Sequence, residues 1–579
     1  MLRKPVPLLR GQRRPFHHPT FSYRTNLSQS CPFSWNAIHE PYDYTRARFL
    51  VNENHEMAIR RVKFNMSELV KRAAESVGFS HDQCVNVERL PDGMFNKAFL
   101  FTMQDGTQVV GKVPNPNAGR PHYTTASEVA TMDFVSKLHT TRFTGVRNKL
   151  STPVPKVLAW SSNASENPVG AEYIIMEKVG GIQLNKVWPR MNIKQRFELV
   201  MTIARYQKAW MSKSFIQYGS LYYSKDLQSN SGCILVNEDG SRFKDDRFAI
   251  GPSTGRGFLD DGRIDVDFDR GPWDKLYGYK LAIGFRELAC VQEMPQLPRS
   301  ILGLYGPGTY RRSPSKKIAA IRDYLRMVHF FLPADDSISS ACLWHPDLHV
   351  ANIFVNPENL SEVVGIIDWQ STEVLPLFDH ARQPYFLDYD GPPATGLDPP
   401  DFPRDFDQLN PDEKIKAERL YLNMSLTTLY RKLTYGKNKR LFKAMEFQQT
   451  SSFDMMLFAQ NLLIDGEALY RARAIELEEE WSCLPGVQAF GNPPFPLQYT
   501  TGEVRSIHED ADKASRSMEL MRGVKESLGE LWPEKGIVPL ERYDEARELL
   551  KHVKTDLINQ LANSEEEKTG WDKAWPFDN

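Results

Sequence analysis

Within the stretch HPDLHVANIFVN, Asp347 precedes Asn352 by five residues, Asn352 runs into the apolar triplet Ile353–Val355, and a second apolar run, VVGIID, ends at Asp368. Asn356, Pro357, Glu358 and Asn359 supply the turn between the two runs. If Ile353–Val355 and Val364–Ile367 pair as an antiparallel hairpin, the residue before the first strand lies across from the residue after the second, and Asn352 and Asp368 converge. An amide oxygen and a carboxylate at one point suit a hard cation such as Mg²⁺, which keeps several waters and shares its coordination with phosphates. Asp347 is then left to orient an attacking hydroxyl and accept its proton. A rival chemistry takes His345, Asp347, His349 and Asp368 as ligands of zinc or a dinuclear centre in a metal-dependent hydrolase, but it gives Asn352 no role. The bland reading is a polar turn in which the two histidines bond only to the backbone. For each histidine taken singly that reading is preferred. It is weaker for Asp347, Asn352 and Asp368 together, because polar groups pinned to the ends of apolar strands need partners.

The chain ahead of this hairpin has a different character. Leu69, Ala73 and Val77 share one helical face that Gly78 ends. Five strand-like stretches follow, CVNVERL, NKAFLFTM, TQVVGKV, VPKVLAW and AEYIIMEKV, with one helix, opening at TTASEVATMDF, between the third and fourth. This predicts a small, mostly β lobe over residues 67–180 with an exit at Val179-Gly180-Gly181. Residues 181–500 read as a larger, mainly helical lobe. A turn-rich segment, 218–273, interrupts it and looks irregular, its acids Asp260, Asp261, Asp265, Asp267 and Asp269 forming a solvated face or a lure for a cationic substrate. Residues 501–579 read as a C-terminal helical extension and 41–66 as a linker.

Bulk properties narrow the function classes. With 72 basic against 73 acidic residues in 579, the overall field gives no argument for nucleic acid. No apolar run is long enough for a membrane-spanning helix. The six cysteines, Cys31, Cys84, Cys233, Cys290, Cys342 and Cys483, form no CxxC pair, which disfavours a disulfide scaffold or a zinc ribbon. Residues 1–40 break the charge balance: Arg3, Lys4, Arg10, Arg13, Arg14 and Arg24 precede the first acid, Glu40. That composition predicts a mitochondrial transit peptide and a matrix destination, against a plain disordered basic tail.

The HPDLHVANIFV run followed by IIDWQ resembles the catalytic loop and metal-binding aspartate of aminoglycoside phosphotransferases and choline kinases, distant relatives of protein kinases. The resemblance implies an α+β, protein-kinase-like bilobal fold that uses ATP and Mg²⁺, with Asp347 as base and Asn352 and Asp368 on the metal. It also implies a strand lysine and a helix glutamate, supplied by Lys112 of VVGKV and Glu128 of TTASEVATMDFV, although Thr125 offers Glu128 a capping box instead. Gly93, in PDGMFNK, falls where a phosphate-covering loop belongs and is its single glycine. Glu177 and Val179, in YIIMEKVGG, fall at the interlobe hinge, with backbone groups facing adenine. FAIGPST, DVDFDRGPW and the basic amino terminus further resemble fungal mitochondrial phosphotransferase-like proteins of the altered-inheritance-of-mitochondria group. The implied activity is phosphoryl transfer to the hydroxyl of a small molecule that the sequence does not identify. The alternative is a nucleotide-binding pseudokinase that serves a mitochondrial protein partner as an assembly factor.

Overall fold

The computed structural model describes residues 42–137, 152–228, 232–533 and 536–578. The expected transit peptide, 1–40, lies outside them. The smaller lobe is built on an antiparallel sheet of five strands in the spatial order Cys84–Arg89, Asn96–Met103, Gln108–Pro114, Tyr173–Glu177 and Val157–Ser161. Alternation sorts its faces. Phe99, Phe101, Met103, Val109 and Val113 share a core with Leu69, Val70, Ala73 and Ala74 of the helix Met66–Glu75. That helix is capped by the Asn65 side chain, which accepts from Glu68 N–H at 3.2 Å. Gly111 must be glycine on this face, because a Cβ there would lie 2.6 Å from the Phe101 ring. The opposite face, which carries Lys112, turns toward the helix Tyr123–Lys137, whose Val129, Ala130 and Val135 join the core of the larger lobe.

The larger lobe contains the helices Ile193–Trp210, Leu276–Glu293, Pro314–Phe331, Pro411–Lys437 and Glu467–Glu480. It is less purely helical than expected. Residues 218–273 include the strands Ser220–Tyr223, Cys233–Asn237, Arg242–Asp245 and Phe248–Gly251. Cys233–Asn237 pairs with Lys213–Phe215, which reaches Ala341–Trp344 and, beyond it, Glu373–Pro376. Strands this short carry too few residues for a period-2 signal, and the strands Ala341–Trp344 and Glu373–Pro376 that complete the sheet lie far away in sequence. The aspartates of the segment are largely committed: Asp260 to Arg256, Asp261 to Arg263, and Asp269 to Trp273 Nε1–H and Gly271 N–H.

Residues 42–66 do not behave as a linker. Ala47–Phe49 pairs antiparallel with Ile537–Pro539, and Glu53–Arg60 forms a helix. Tyr42, Tyr44, Phe49 and Leu50 are buried, which supplies the physical reason: four large apolar side chains in nine residues dock rather than span. Their platform includes the C-terminal extension, whose helices Thr501–Leu528, Tyr543–Leu561 and Glu565–Ala574 enclose Met521, Leu550, Trp571 and Trp575 together with Leu50 and Leu304. The two ends of the described chain thus form one structural unit. Among the described residues no helix is long and apolar enough to cross a membrane, and Cys84, Cys233, Cys290, Cys342 and Cys483 are free thiols.

Candidate functional site

Lys112 sits between Ala98 and Ile174 in the sheet register, and its side chain leaves the sheet on the helix side. Its ammonium donates to both Glu128 oxygens, at 2.7 and 2.9 Å, and to Asp368 Oδ1 at 2.9 Å. Glu128 therefore serves Lys112 and not a capping box, since the helix opens at Tyr123 and Thr125 lies inside it. Burial by itself would lower the Lys112 pKa, but the Asp368 and Glu128 carboxylates outweigh it and hold the lysine above its ordinary value. Burial pushes Glu128 up against the pull of Lys112. Two carboxylates share one ammonium, so the cluster is one positive charge short. A cation beside the half-exposed Asp368 would balance it.

The hairpin forms as expected, with a shift of one residue. Ile353 pairs with Ile366, and Ile367 N–H donates to Asn352 O at 3.0 Å, so Asn352 faces Ile367 and Asp368 is the next residue. Asp368 and Ser371 take left-handed φ values of 64° and 57°. Strain of this kind costs roughly 1–3 kcal/mol per residue and persists only where packing enforces it. Here Trp369, fully buried and donating Nε1–H to Ile366 O, enforces it, while the Asp368 carboxylate is delivered to Lys112.

The loop between strand Ala341–Trp344 and the hairpin is held mainly by its own backbone. His345 Nδ1 accepts Asp347 N–H at 3.1 Å, which leaves Nε2 as the donor to Ile367 O at 3.0 Å. Burial lowers the His345 pKa, so the ring is neutral and both nitrogens are committed. It cannot be a metal ligand without breaking the loop. His349 Nδ1 likewise accepts Ala351 N–H, and its Nε2 lies 3.4 Å from Asp347 Oδ2. Among the described residues no three His, Cys, Asp or Glu side chains gather as a metal site, which removes the geometric basis of the hydrolase reading. Asn352 donates its amide nitrogen to Asp347 O at 3.0 Å and so presents its oxygen as the acceptor. An amide oxygen with an adjacent carboxylate fits the donor set of Mg²⁺.

At the hinge, Glu177 N–H donates to Lys156 O at 2.9 Å and its carboxylate accepts Lys156 N–H at 3.2 Å, so its N–H is committed and, of its two backbone groups, the carbonyl is the one that could serve adenine. Val179 packs over Gly365, where a Cβ would come within 2.2 Å of it. Gly181, at φ +90°, passes so close to Val355 O that a Cβ would sit 2.4 Å away. The chain then adds Ile182–Gln183 as a third strand beside Ile353–Val355, locking the exit of the small lobe onto the hairpin that carries Asn352 and Asp368.

The Pro91–Lys97 loop holds its shape by charge more than by glycine. A Cβ on Gly93 would meet nothing closer than 3.6 Å. Asp92, which the sequence reading passed over, is buried against Arg89 at 2.6 Å and Lys97 at 3.6 Å and accepts Thr45 N–H at 3.1 Å. Burial lowers Lys97 to about 8, and its ammonium donates to Asp43 O at 2.8 Å. The Arg-x-x-Asp spacing of Arg89 and Asp92 was the available signal. The role of Thr45 and Asp43 was not foreseeable from a stretch read as a linker.

The profile of the phosphotransferase enzyme family matches residues 86–382, more than half of the chain and the whole span from Lys112 to Asp368. A subtelomeric hrmA-associated cluster protein of Aspergillus fumigatus is 27% identical over 528 residues, covering 86% of this chain and 97% of that one. Altered inheritance of mitochondria protein 9, mitochondrial, of Saccharomyces cerevisiae is 25% identical over 455 residues, covering 73% and 67%. Among solved structures, a streptomycin–ATP–APH(2")-IIa ternary complex is similar at 14% identity with a TM-score of 0.30, covering 69% of this chain and 98% of that one. With its small antiparallel lobe joined to a helical lobe through the Ile353–Ile366 hairpin, the chain belongs to the phosphotransferase enzyme family.

Proposed function

We propose that the protein is an ATP- and Mg²⁺-dependent kinase acting on a hydroxyl of a small molecule. The observation that carries this reading is the meeting of Lys112, Glu128 and Asp368, which joins the small-lobe sheet to the catalytic hairpin at one point, buried at Lys112 and Glu128 and open at Asp368. Lys112 would hold the α- and β-phosphates, with Glu128 fixing its position. Asn352 and Asp368 would hold Mg²⁺, which when bound neutralises phosphate charge. The acceptor oxygen forms its bond to the γ-phosphorus in line as the bond to the β,γ-bridging oxygen breaks. ADP leaves, and the hydroxyl proton passes to the Asp347 carboxylate. Incubating the protein with γ-labelled ATP and a panel of metabolites tests the reading, because a labelled product would also name the acceptor.

Asp368→Ala should abolish Mg²⁺-dependent ATP binding and turnover while the chain still folds, since alanine cannot neutralise a dication. Titration calorimetry with and without Mg²⁺ decides it. Wild-type ATP affinity indifferent to Mg²⁺ would count against the metal role.

A second reading, a nucleotide-binding assembly factor, draws on one contact: Asn96 Nδ2 donates to Gln370 Oε1 at 2.6 Å, bringing the root of the Pro91–Lys97 loop down beside the Asp368 turn. The relatives named as mitochondrial support placing the protein in mitochondria. We place it in the matrix, through the basic residues 1–40. A chain lacking these residues should fold yet fail to enter mitochondria, and full mitochondrial localisation of the truncated chain would overturn this.

A further inference from the structure

We propose that Arg256, carried by the turn-rich segment of the larger lobe, latches the Pro91–Lys97 loop to that lobe and thereby positions it over the nucleotide phosphates. The inference deepens the kinase reading and rests on it. Arg256 reaches across the lobes at three points. Its Nη1 donates to Asn117 O at 2.9 Å and Ala118 O at 3.1 Å, in the turn that follows the Lys112 strand. Its guanidinium carbon stands 4.1 Å from the centroid of the Phe95 ring, near the tip of the loop. Its Nη2 is paired with Asp260, which fixes the plane of the fork from the far side. Gln370, two residues past Asp368, reinforces the arrangement: its Nε2 donates to Ala118 O at 3.2 Å while its Oε1 accepts from Asn96.

The docking is close on both sides of Arg256. A Cβ at Gly255 would fall 2.1 Å from Glu373 Oε2, and one at Gly119 would fall 2.4 Å from Thr124 Oγ1 and 2.8 Å from Leu259 Cδ1. Gly119 lets Leu259 press against the turn at 117–119, and Gly255 lets the segment that carries Arg256 seat on Glu373 of its own lobe. A loop with a single, sterically unneeded glycine has little intrinsic freedom to fold over a phosphate. Its position must come from contacts, and Phe95 and Asn96 make theirs with the larger lobe. Arg256 is thus a positioning residue that acts through the loop. Lysine would keep the charge but could neither bridge two carbonyls while stacking nor present a planar face to Phe95.

Hydrogen exchange on the nucleotide-free full chain reads the latch directly. Gly93 N–H, bonded to Asn96 O, and Asn115 N–H, bonded to Phe95 O, should exchange faster in Arg256→Ala and Arg256→Lys. Titration then reads the positioning. Arg256→Ala should weaken Mg·ATP binding about tenfold and adenosine, which has no phosphates, by less than about twofold. Phe95→Leu removes the same stack from the loop side, should reproduce both effects, and replaces Arg256→Ala should that variant not fold. Unchanged exchange at Gly93 and Asn115 overturns the latch. Faster exchange with equal losses for ATP and adenosine overturns positioning and leaves a merely structural arginine. Wild-type protein that binds no Mg·ATP overturns the kinase reading and the positioning role with it, whatever the exchange shows.

Discussion

Replacing Asp347 by asparagine should lower phosphoryl transfer by about two to four orders of magnitude while Mg·ATP affinity stays near wild type, the worth of a positioned general base. The geometry makes the substitution clean. The loop is held by Asp347 backbone atoms, the N–H given to His345 Nδ1 and the carbonyl oxygen shared by His349 N–H and Asn352 Nδ2–H, and none of these changes with the side chain. The side chain is half-exposed and stands 3.4 Å from His349 Nε2, so asparagine fits without a new buried orphan. A fall in kcat at constant nucleotide affinity separates a base from a binding group. The same variant divides the two functional readings: cells carrying only Asp347→Asn should show the deletion defect if transfer is the physiological role. Complete rescue at normal abundance would move the protein to the assembly-factor reading.

The parts of this site that could be read from sequence share a physical property. Asp347, Asn352 and Asp368 are fixed by a hairpin of fourteen residues, and Glu128 follows Lys112 by sixteen, so local pattern and strand alternation place them. Even there, the ladder runs one residue off the expected register and sets Asn352 opposite Ile367 rather than Asp368. The small lobe was legible because its strands run five to eight residues and are bounded by turn residues. What was not legible depends on non-local pairing. The strands of 218–273 are of four or five residues; Cys233–Asn237 and Arg242–Asp245 join a sheet completed by Ala341–Trp344 and Glu373–Pro376, about a hundred positions away, while Ser220–Tyr223 and Phe248–Gly251 pair only with each other. Glu177 loses its N–H to Lys156, and Asp92 gains Thr45, through contacts that no spacing encodes. Arg256 is the sharpest case. It is one basic residue among acids in a turn-rich run, and its meaning appears only once Phe95 lies beneath it.

The last prediction follows from the join between the chain ends. Trp571 is 3% exposed, and its ring lies so flat on Gly306 that a Cβ there would approach it to 2.1 Å; beside it, Gly570 is pressed against Pro307. It shares its core with Leu304, Leu550, Trp575 and Leu50. Trp571→Ala should therefore cost about 3–5 kcal/mol, the range for deleting a large aromatic side chain from a packed core. The loss falls on the unit that carries Ile537–Pro539, the only strand paired with Ala47–Phe49 among the described residues. Tyr543 adds to this join: its hydroxyl donates to Glu53 at 3.1 Å and its ring receives Arg48 at 3.6 Å. Once that unit loosens, residues 42–46 lose their anchor, and with them go the Thr45 N–H given to Asp92 and the Asp43 carbonyl that receives Lys97. Asp92 and Lys97 are buried charges, and a weakened strap exposes them to water and frees the Pro91–Lys97 loop. The expected result is an early thermal transition or early proteolysis of the C-terminal helices, faster amide exchange at Gly93, and weaker Mg·ATP binding, although Trp571 belongs to a different lobe from Lys112. A destabilised C-terminal unit with unchanged exchange at Gly93 would show that the strap does not transmit, and that the charges around Asp92 hold the loop without it.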